Sequence, residues 1–432
     1  MNWRADIRKG EGVPLVLSSW AFFLILTSYY IIRPVRDQLS GAVGSVALPL
    51  FYAGTFVAML VLTPVFGWLV SRFVRRRLLI WVYGFFIVCL LAFVPAFMAQ
   101  QDIGARNLGV VFFTWVSVFN LFVVSLFWSL MADLWTALQA RRLFPLIAFA
   151  GMLGALAGPP LTRTFAAVLG VAPLLVVSAL LLVIALVLLL VVSRHHTHAE
   201  APAGDAIGGS LWAGVRQALM QPFVRSMALL MLLSDGIGTL AYALVADYVK
   251  AHVEGRVARL DFYANLDLAN NLLGMLLQLT LTRWILTRFG ATWGLVIPAL
   301  VNVVLLIAIA VFGTAPLLAL GAGTSLLIVL QVVVRGTQYG MIKPASDALY
   351  ARARREVRYK GKNFVETTVW RFGDLVVTSG LNGLRALGAG AAVIAGMAAG
   401  LSAVAAWVGH RAGHSPDLED EPASEERAAP GG

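Results

Sequence analysis

The sequence predicts an all-α integral membrane protein with about twelve transmembrane helices arranged in two six-helix halves. Of the 432 residues, 59% are hydrophobic and only 13% are charged. A soluble domain carries about 25% charged residues. Apolar runs of about 20 residues, long enough to cross a bilayer as a helix, recur along the whole chain. The longest polar break falls between the sixth and the seventh run, so it separates the two halves.

Each apolar run predicts one membrane span. The runs lie near 13–38, 46–70, 78–99, 108–134, 143–167, 171–193, 223–248, 262–286, 291–312, 315–349, 364–387 and 390–409. We therefore expect an N-terminal half over 1–193, a cytoplasmic linker over 194–222 and a C-terminal half over 223–410. Residues 411–432 are rich in acidic residues and have the composition of a disordered tail.

Basic residues cluster in every second loop, as the positive-inside rule requires of cytoplasmic loops. The clusters lie at 4–9, 72–77, 141–142, 194–216, 283–288 and 352–362. This pattern predicts a multi-pass protein of the cell inner membrane with both termini in the cytoplasm. It also accounts for the net charge of +11 without a nucleic acid partner.

The residues that enzymes and metal sites need are sparse. Cys89 has no second cysteine with which to pair, and the one histidine cluster (His195, His196 and His198) lies in the linker. No phosphate-binding G-x-x-x-x-G-K-[ST] loop is present, so ATP hydrolysis is not expected. We expect no metal, no cofactor and no enzymatic activity. A membrane-embedded enzyme acting on a lipid carrier and a non-transporting scaffold are the alternatives.

The first span contains charges that a bilayer disfavours. Tyr29, Arg33 and Asp37 recur every four residues and share one helix face, with Arg36 beside them. An ionisable side chain at the bilayer centre costs about 2.5–3.5 kcal/mol unless it faces a protein interior or a wet cavity. The face therefore predicts an anion site inside a cavity. The alternative is that the charges lie at the level of the lipid headgroups.

Isolated polar groups mark three further spans. Asp133 in the fourth span is expected to act as a gate, a proton site or a counter-ion, or else to pair with Arg141 or Arg142 at the helix end. Asp235, beside two glycines in the seventh span, is a candidate site for a coupling cation or a proton. Asp267 and Asn271 in the eighth span share a face and indicate a hydrated cavity wall.

Glycines in the fifth span have a structural interpretation. Gly154 and Gly158 lie four residues apart, and small residues at this spacing let another helix approach closely. We assign them no chemistry.

The tenth and eleventh spans hold the largest number of charges. Arg335, Tyr339, Lys343 and Asp347 recur every four residues, and Glu366, Arg371 and Asp374 follow in the eleventh span. Arg371 and Asp374 are spaced to pair with each other. Cations from three spans can converge on one anion, and the planar fork of arginine suits phosphate or carboxylate. The alternative is a set of internal salt bridges.

Two six-helix halves joined by a cytoplasmic linker resemble the major facilitator superfamily, whose substrates bind between the halves. The stretch GWLVSRFVRR at 67–76 is similar to the signature G-x-x-x-[DN]-R-x-G-R-R of that superfamily, with Ser71 and Val74 replacing the acid and the glycine. The resemblance implies a gating loop. Simple anchoring by basic residues is the alternative.

Four stretches resemble the bacterial and plastid-type ATP/ADP translocases. YYIIRPVRD at 29–37 is similar to the family motif Y-x-I-L-R-x-x-K-D. FWSLMAD and QARRLFP at 127–133 and 139–145 resemble F-W-x-x-x-N-E and E-A-K-R-F-Y-P. YGMIKPASDALY at 339–350 resembles Y-S-x-x-x-P-x-K-E-x-x-Y, and KGKNFVETTVWRFGD at 360–374 resembles K-G-K-x-x-x-D-x-x-x-x-R-x-G-K.

This resemblance implies a secondary transporter that exchanges nucleotides, a monomer with a small anionic solute and membrane lipid as its partners. The expected substrate-binding residues are Tyr29, Arg33, Arg36, Trp128, Tyr339, Lys343 and Arg371. The expected gate or counter-ion residues are Asp37, Asp133, Asp267, Asp347, Glu366 and Asp374. Ser346 and Asp374 stand where the family has lysines. The loss of two cations leaves open a less charged ligand or another organic anion.

Overall fold

The computed structural model describes residues 10–194, 220–313, 325–353, 357 and 361–418. Most of the predicted linker and the end of the predicted tail lie outside these ranges. The long helical segments are α1 (Gly12–Val43), α2 (Leu48–Arg72), α3 (Arg75–Met98), α4 (Ala105–Leu134), α5 (Ala137–Leu169), α6 (Pro173–Val192), α7 (Pro222–His252), α8 (256–288), α9 (Ala291–Phe312), α10 (326–351), α11 (362–386) and α12 (Ala391–Gly413).

The all-α membrane class is confirmed. Within the ranges that the structure describes, nine helices are long and apolar enough to cross a membrane, namely α1–α7, α9 and α12. The segments α8, α10 and α11 are helical but carry more polar and charged side chains. The total of twelve spans therefore stays a prediction.

Helix α1 lies at the centre of the molecule. It packs on α4, α5 and α6 of the first six helices and on α7 and α8 of the last six. Its crossing with α5 is close because of the two glycines singled out above: a Cβ at Gly154 would lie 2.3 Å from the carbonyl oxygen of Phe23. A Cβ at Gly158 would lie 2.5 Å from the Cβ of Tyr30. The face of α1 opposite this crossing is therefore turned toward the last six helices.

Among the last six helices, α7 contacts α10, α11 and α12, while α9 packs on α12 and α8 packs on α10. The two sets of helices meet where α5 packs on α8 and where α2 packs on α11. Helix α12 runs to Gly413, and Asp417 accepts a hydrogen bond of 3.0 Å from the backbone N–H of Phe223 at the start of α7. Ordered structure thus continues beyond residue 410, where we expected the tail to begin.

Four of the helices contain a turn with π-type hydrogen bonding. These turns are Asn120–Val124 in α4, Gln278–Thr282 in α8, Gln338–Ile342 in α10 and Val365–Val369 in α11. A π turn inserts one extra residue into a helix and is frequent at functional sites. Asn120, Gln278 and Tyr339, which lie in three of these turns, line the cavity described below.

Polar contacts join the two sets of helices near the C-terminal ends of α1, α7 and α11, a region that we call the packed end. Asp247 accepts hydrogen bonds from the backbone N–H of Ser45 (2.6 Å) and from Arg385 (2.6 Å). Arg385 also donates to Ser45 Oγ (2.5 Å), and Lys250 donates to the carbonyl of Val43 (2.9 Å). Helices that are far apart in sequence are therefore tied together at this end.

Candidate functional site

A cavity of about 630 Å³ lies between the first six and the last six helices. Ligand pockets in proteins typically measure about 300–1,000 Å³. Side chains from α1, α2, α4 and α5 form one wall, and side chains from α7, α8, α10 and α11 form the other. Both sets of helices therefore contribute to the cavity.

All seven predicted substrate-binding residues line this cavity: Tyr29, Arg33, Arg36, Trp128, Tyr339, Lys343 and Arg371. Of the predicted gate residues, Asp347 and Asp374 also line it. Asp37, Asp267 and Glu366 lie beyond the lining, each paired with a lining cation. Asp133 is half-buried in α4 away from the lining, so its role stays a prediction.

Arg33 reaches from α1 toward the other half. Its Nε lies 3.5 Å from Asp267 Oδ1 on α8 and 3.9 Å from Asp37 Oδ2. Its guanidinium also donates to the Tyr30 hydroxyl at 3.4 Å. Buried charges of opposite sign stabilise each other strongly in a low-dielectric interior. Arg33 therefore links the two halves electrostatically.

Arg36 is held tightly on both sides. Its Nε and Nη2 both lie 2.7 Å from Asp37 Oδ1, and its guanidinium lies 4.4 Å from the centre of the Phe113 ring. Asp37 in turn accepts a hydrogen bond of 2.9 Å from the hydroxyl of Tyr242, which is 2.6 Å from Ser40 Oγ. The carboxylate and the aromatic face together fix the guanidinium beside the cavity.

On the other wall, two arginines are each held by one aspartate. Arg335 Nη1 donates to Asp235 Oδ1 at 2.9 Å, between α10 and α7. Arg371 Nη1 donates to Asp374 Oδ2 at 3.2 Å within α11, the pair that the spacing predicted. Thr239 on α7 donates to the other oxygen of Asp374 at 2.5 Å.

Lys343 lies in a more exposed part of the cavity. It forms ion pairs with Glu366 and, at 3.6 Å, with Asp347, which Lys362 also contacts at 2.8 Å. The side chains of Lys343 and Asp347 are 44% and 45% exposed, whereas that of Asp37 is 3% exposed. The cavity is therefore open at this end, whereas the lining residues Tyr52 and Tyr242 are only 5% and 6% exposed.

Every arginine and lysine that lines the cavity has a carboxylate within ion-pairing distance. Of these pairs, only the one between Arg33 and Asp267 joins the two halves within the described part of the chain. The pairs balance formal charge but use only part of the donors, because a guanidinium has five N–H groups in a fixed fork. The structure thus contains features of both interpretations of these charges. The cations line one cavity, and they also form internal salt bridges.

Aromatic rings cover much of the first wall. Phe22 and Trp128 are in edge contact, with ring centres 5.2 Å apart, and Tyr29 stacks over Phe119 at 6.3 Å. Planar or apolar parts of a ligand pack well against such rings. The opposite wall is polar, with Asn270, Asn271 and Gln278 facing the cavity.

Sequence reasoning missed several lining residues. Tyr52, Phe113 and Tyr242 have no charge and no motif, and they lie in strongly apolar helices. Asn270, beside the predicted Asn271, also lines the cavity. The signal that could have found Tyr242 is a hydroxyl in an otherwise apolar span, since buried hydroxyls need partners.

Comparison of the sequence with protein families finds no match, and no curated protein matches it. Solved structures do match. The crystal structure of the nucleoside transporter NupG superposes with a TM-score of 0.63 at 14% identity, covering 92% of this chain and 99% of that chain. The crystal structure of a bacterial homologue of the iron transporter ferroportin, in an inward-facing state, superposes with a TM-score of 0.62 at 14% identity. The match covers 94% of this chain and 100% of that chain.

A third solved structure is a bacterial homologue of the human lysosomal transporter Spinster, inward-facing and unoccupied. It gives a TM-score of 0.61 at 14% identity and covers 96% of this chain and 100% of that chain. These similarities establish the fold. The chain is a multi-pass membrane protein with the fold of major facilitator-type secondary transporters.

Proposed function

We propose that this protein is a secondary transporter that moves a small organic anion by alternating access. The observation that carries the proposal is the cavity between the halves, which five cations line: Arg33, Arg36, Arg335, Lys343 and Arg371. Their carboxylate partners orient them, while further N–H groups are available to a ligand. In this proposal the two six-helix halves rock about the cavity.

The charge balance of the cavity limits the charge of the solute. Each lining cation already has a carboxylate partner, so a ligand with several negative charges would leave much of its charge uncompensated in a buried place. A better match to the two walls is an anion that carries few charges and that also contains a ring able to pack on Phe22 and Trp128. This argument agrees with the loss of the two family lysines at Ser346 and Asp374.

The resemblance to ATP/ADP translocases makes adenine nucleotides the first solutes to test. Membership of that family and exchange of ATP for ADP stay predictions. A second candidate is an uncharged nucleoside, since the cations are balanced without a ligand. One structural neighbour is a nucleoside transporter, but its 14% identity supports the fold and not the solute.

A series of solutes with one base and one sugar separates these candidates. Purified protein in liposomes loaded with AMP is offered labelled adenosine, AMP, ADP or ATP outside. We expect AMP to exchange fastest and ATP slowest among the nucleotides. Fastest exchange of ATP would contradict the charge argument, and fastest uptake of adenosine would favour the nucleoside. No exchange above protein-free vesicles for any of the four would remove the nucleotide proposal.

The open end of the cavity is proposed to face the cytoplasm of a cell inner membrane. Helices α1, α7 and α11 begin near basic loops and finish at the packed end, so the positive-inside rule puts the packed end outside. Both termini would then be cytoplasmic. Protease protection of a terminal tag in membrane vesicles of known orientation tests this arrangement.

A further inference from the structure

Five side chains on the polar wall form a group that we call the Asp374 cluster: Asp235, Thr239, Arg335, Arg371 and Asp374. They come from three helices, α7, α10 and α11. Two arginines and two aspartates face each other pairwise, and Thr239 connects α7 to Asp374. The cluster is therefore neutral as a unit while the cavity holds no ligand.

The two aspartates differ in their access to the cavity. Asp374 is 2% exposed, but it lines the cavity together with Arg335 and Arg371. Asp235 is 3% exposed, is not among the lining residues, and accepts a hydrogen bond from the lining Arg335. Asp374 is therefore the aspartate of the cluster that borders the cavity.

An anion in the cavity would compete with Asp374 for Arg371. Arg371 is the more accessible partner, with 24% of its side chain exposed and one hydrogen bond of 3.2 Å to Asp374. Once an anion takes this guanidinium, the cluster carries an uncompensated negative charge in a buried place. A buried carboxyl group responds to such a change by taking up a proton.

Thr239 suits Asp374 in both protonation states. A hydroxyl can donate to a carboxylate and can accept from a protonated carboxyl group. The short contact of 2.5 Å between Thr239 Oγ1 and Asp374 Oδ1 can therefore persist when the proton arrives. Asp374 would not need to leave its place in order to change its charge.

The other elements packed against Asp374 bring no base that would take the proton instead at the cavity surface. Helix α7 contributes Asp235, which Arg335 of α10 already neutralises. Helix α2 packs on α11 and contributes the hydroxyl of Tyr52, which also lines the cavity. Within this part of the structure, Asp374 is the carboxyl group that both meets the cavity and shares its arginine with a ligand.

We propose that Asp374 is a proton-binding site that couples solute transport to proton transport, an inference that rests on the proposed function. A proton from the side to which the cavity opens binds the Asp374 carboxylate as the anion takes Arg371. Both cross when the halves rock. On the other side the anion leaves, the pair of Arg371 and Asp374 re-forms, and the proton is released to water.

The test uses full-length protein in liposomes that contain a pH-sensitive dye, with labelled AMP outside as the probe. We expect AMP uptake to acidify the lumen and to accelerate when the outside is made acidic. In Asp374→Asn, the number of protons that enter with each AMP should fall to zero, whatever the rate of AMP uptake. The control is Asp102→Asn, an exposed carboxylate after α3 that does not line the cavity, whose ratio should stay at the wild-type value.

The outcomes separate this inference from the proposed function. Net uptake of AMP into liposomes that contain no nucleotide, without acidification of the lumen, would overturn proton coupling and leave the transport proposal standing. No exchange of AMP at all would count against the transport proposal for this solute. In that case infrared spectra test whether Asp374 binds a proton. On acidification of purified protein, a carboxyl C=O band should appear that is absent in Asp374→Asn and present in Asp102→Asn. Its persistence in Asp374→Asn would overturn the assignment.

Discussion

Arg33 on α1 and Asp267 on α8 face each other across the boundary between the two halves, with 3.5 Å between Nε and Oδ1. Neither Arg33 Nε nor Asp267 Oδ2 has a hydrogen-bond partner within the described structure. The pair is thus an electrostatic contact rather than a bidentate bond. Because this contact includes no hydrogen bond, separating the two side chains would break none.

Removing Asp267 should destabilise the protein. Breaking a buried ion pair typically costs about 3–5 kcal/mol, and we expect about 3 kcal/mol for Asp267→Ala because Asp37 still lies near Arg33. Unfolding of the purified protein in detergent measures this loss. The double variant Arg33→Gln with Asp267→Ala removes both charges, and it should lose less stability than the sum of the losses in the two single variants. An additive loss in the double variant would show that the two residues do not interact.

Arg371→Ala should impair transport more than folding. A hydrogen bond to a charged group contributes about 1.5–3 kcal/mol, which corresponds to about a 10- to 100-fold weaker affinity for the anion. Uptake of labelled AMP into liposomes measures the effect. The Arg371→Lys variant should retain part of the wild-type uptake. The control is Arg288→Ala, an exposed arginine at the end of α8. Wild-type uptake by Arg371→Ala would remove this residue from the site.

Loss of the Arg385 contacts should loosen the packed end. Arg385 donates to both Asp247 and Ser45, so Arg385→Ala removes two polar links between α11 and its neighbours. A loss of about 1.5 kcal/mol shifts a two-state equilibrium about tenfold. The measurement is the labelling rate of a cysteine at Leu48→Cys, a fully buried position, in a Cys89→Ala background.

The matched control for this experiment is Arg106→Ala, an exposed arginine at the start of α4. Labelling at position 48 should rise about tenfold with Arg385→Ala and stay unchanged with Arg106→Ala. Equal labelling in both variants would mean that Arg385 does not hold the packed end closed.

The crossing of α1 and α5 should not tolerate a methyl group. A Cβ at Gly154 would lie 2.3 Å from a backbone oxygen, which cannot move aside without shifting α1. Overpacking typically costs about 1–3 kcal/mol, and we expect Gly154→Ala to lower unfolding stability by that amount. Gly84→Ala is the control, because a Cβ there meets nothing within 4 Å. Equal stability of the two variants would contradict the close crossing.

Gly84→Ala should even stabilise α3 slightly. Alanine is favoured over glycine inside a helix by about 0.5–1 kcal/mol. The change in the free energy of unfolding is therefore expected to have opposite signs in the two glycine variants.

Much of the site could be predicted because helical periodicity is a local property. Residues four apart lie on one helix face, so Arg33 with Asp37 and Lys343 with Asp347 could be recognised from spacing alone. The pair of Arg371 and Asp374 within α11 was predicted in the same way and is present in the structure. Isolated charges in apolar spans also indicated the cavity, since lipid disfavours them.

Pairs between helices could not be predicted. Arg335 and Asp235 are 100 residues apart in sequence, and Thr239 and Asp374 are 135 apart. Spacing says nothing about such contacts, because they depend on which helices meet and at what depth. For the same reason Tyr242, which fixes Asp37 from another helix, was not recognised.

The sequence by itself determined the membrane class, the approximate spans and the faces that carry charge, because hydropathy and the helical repeat act over neighbouring residues. Only the tertiary structure decided that each cavity cation is paired, that one wall is aromatic and the other polar, and that Asp374 faces the cavity while Asp235 does not. Those features depend on which distant segments pack together, because only packing decides which side chains share a space and which charges lie within pairing distance.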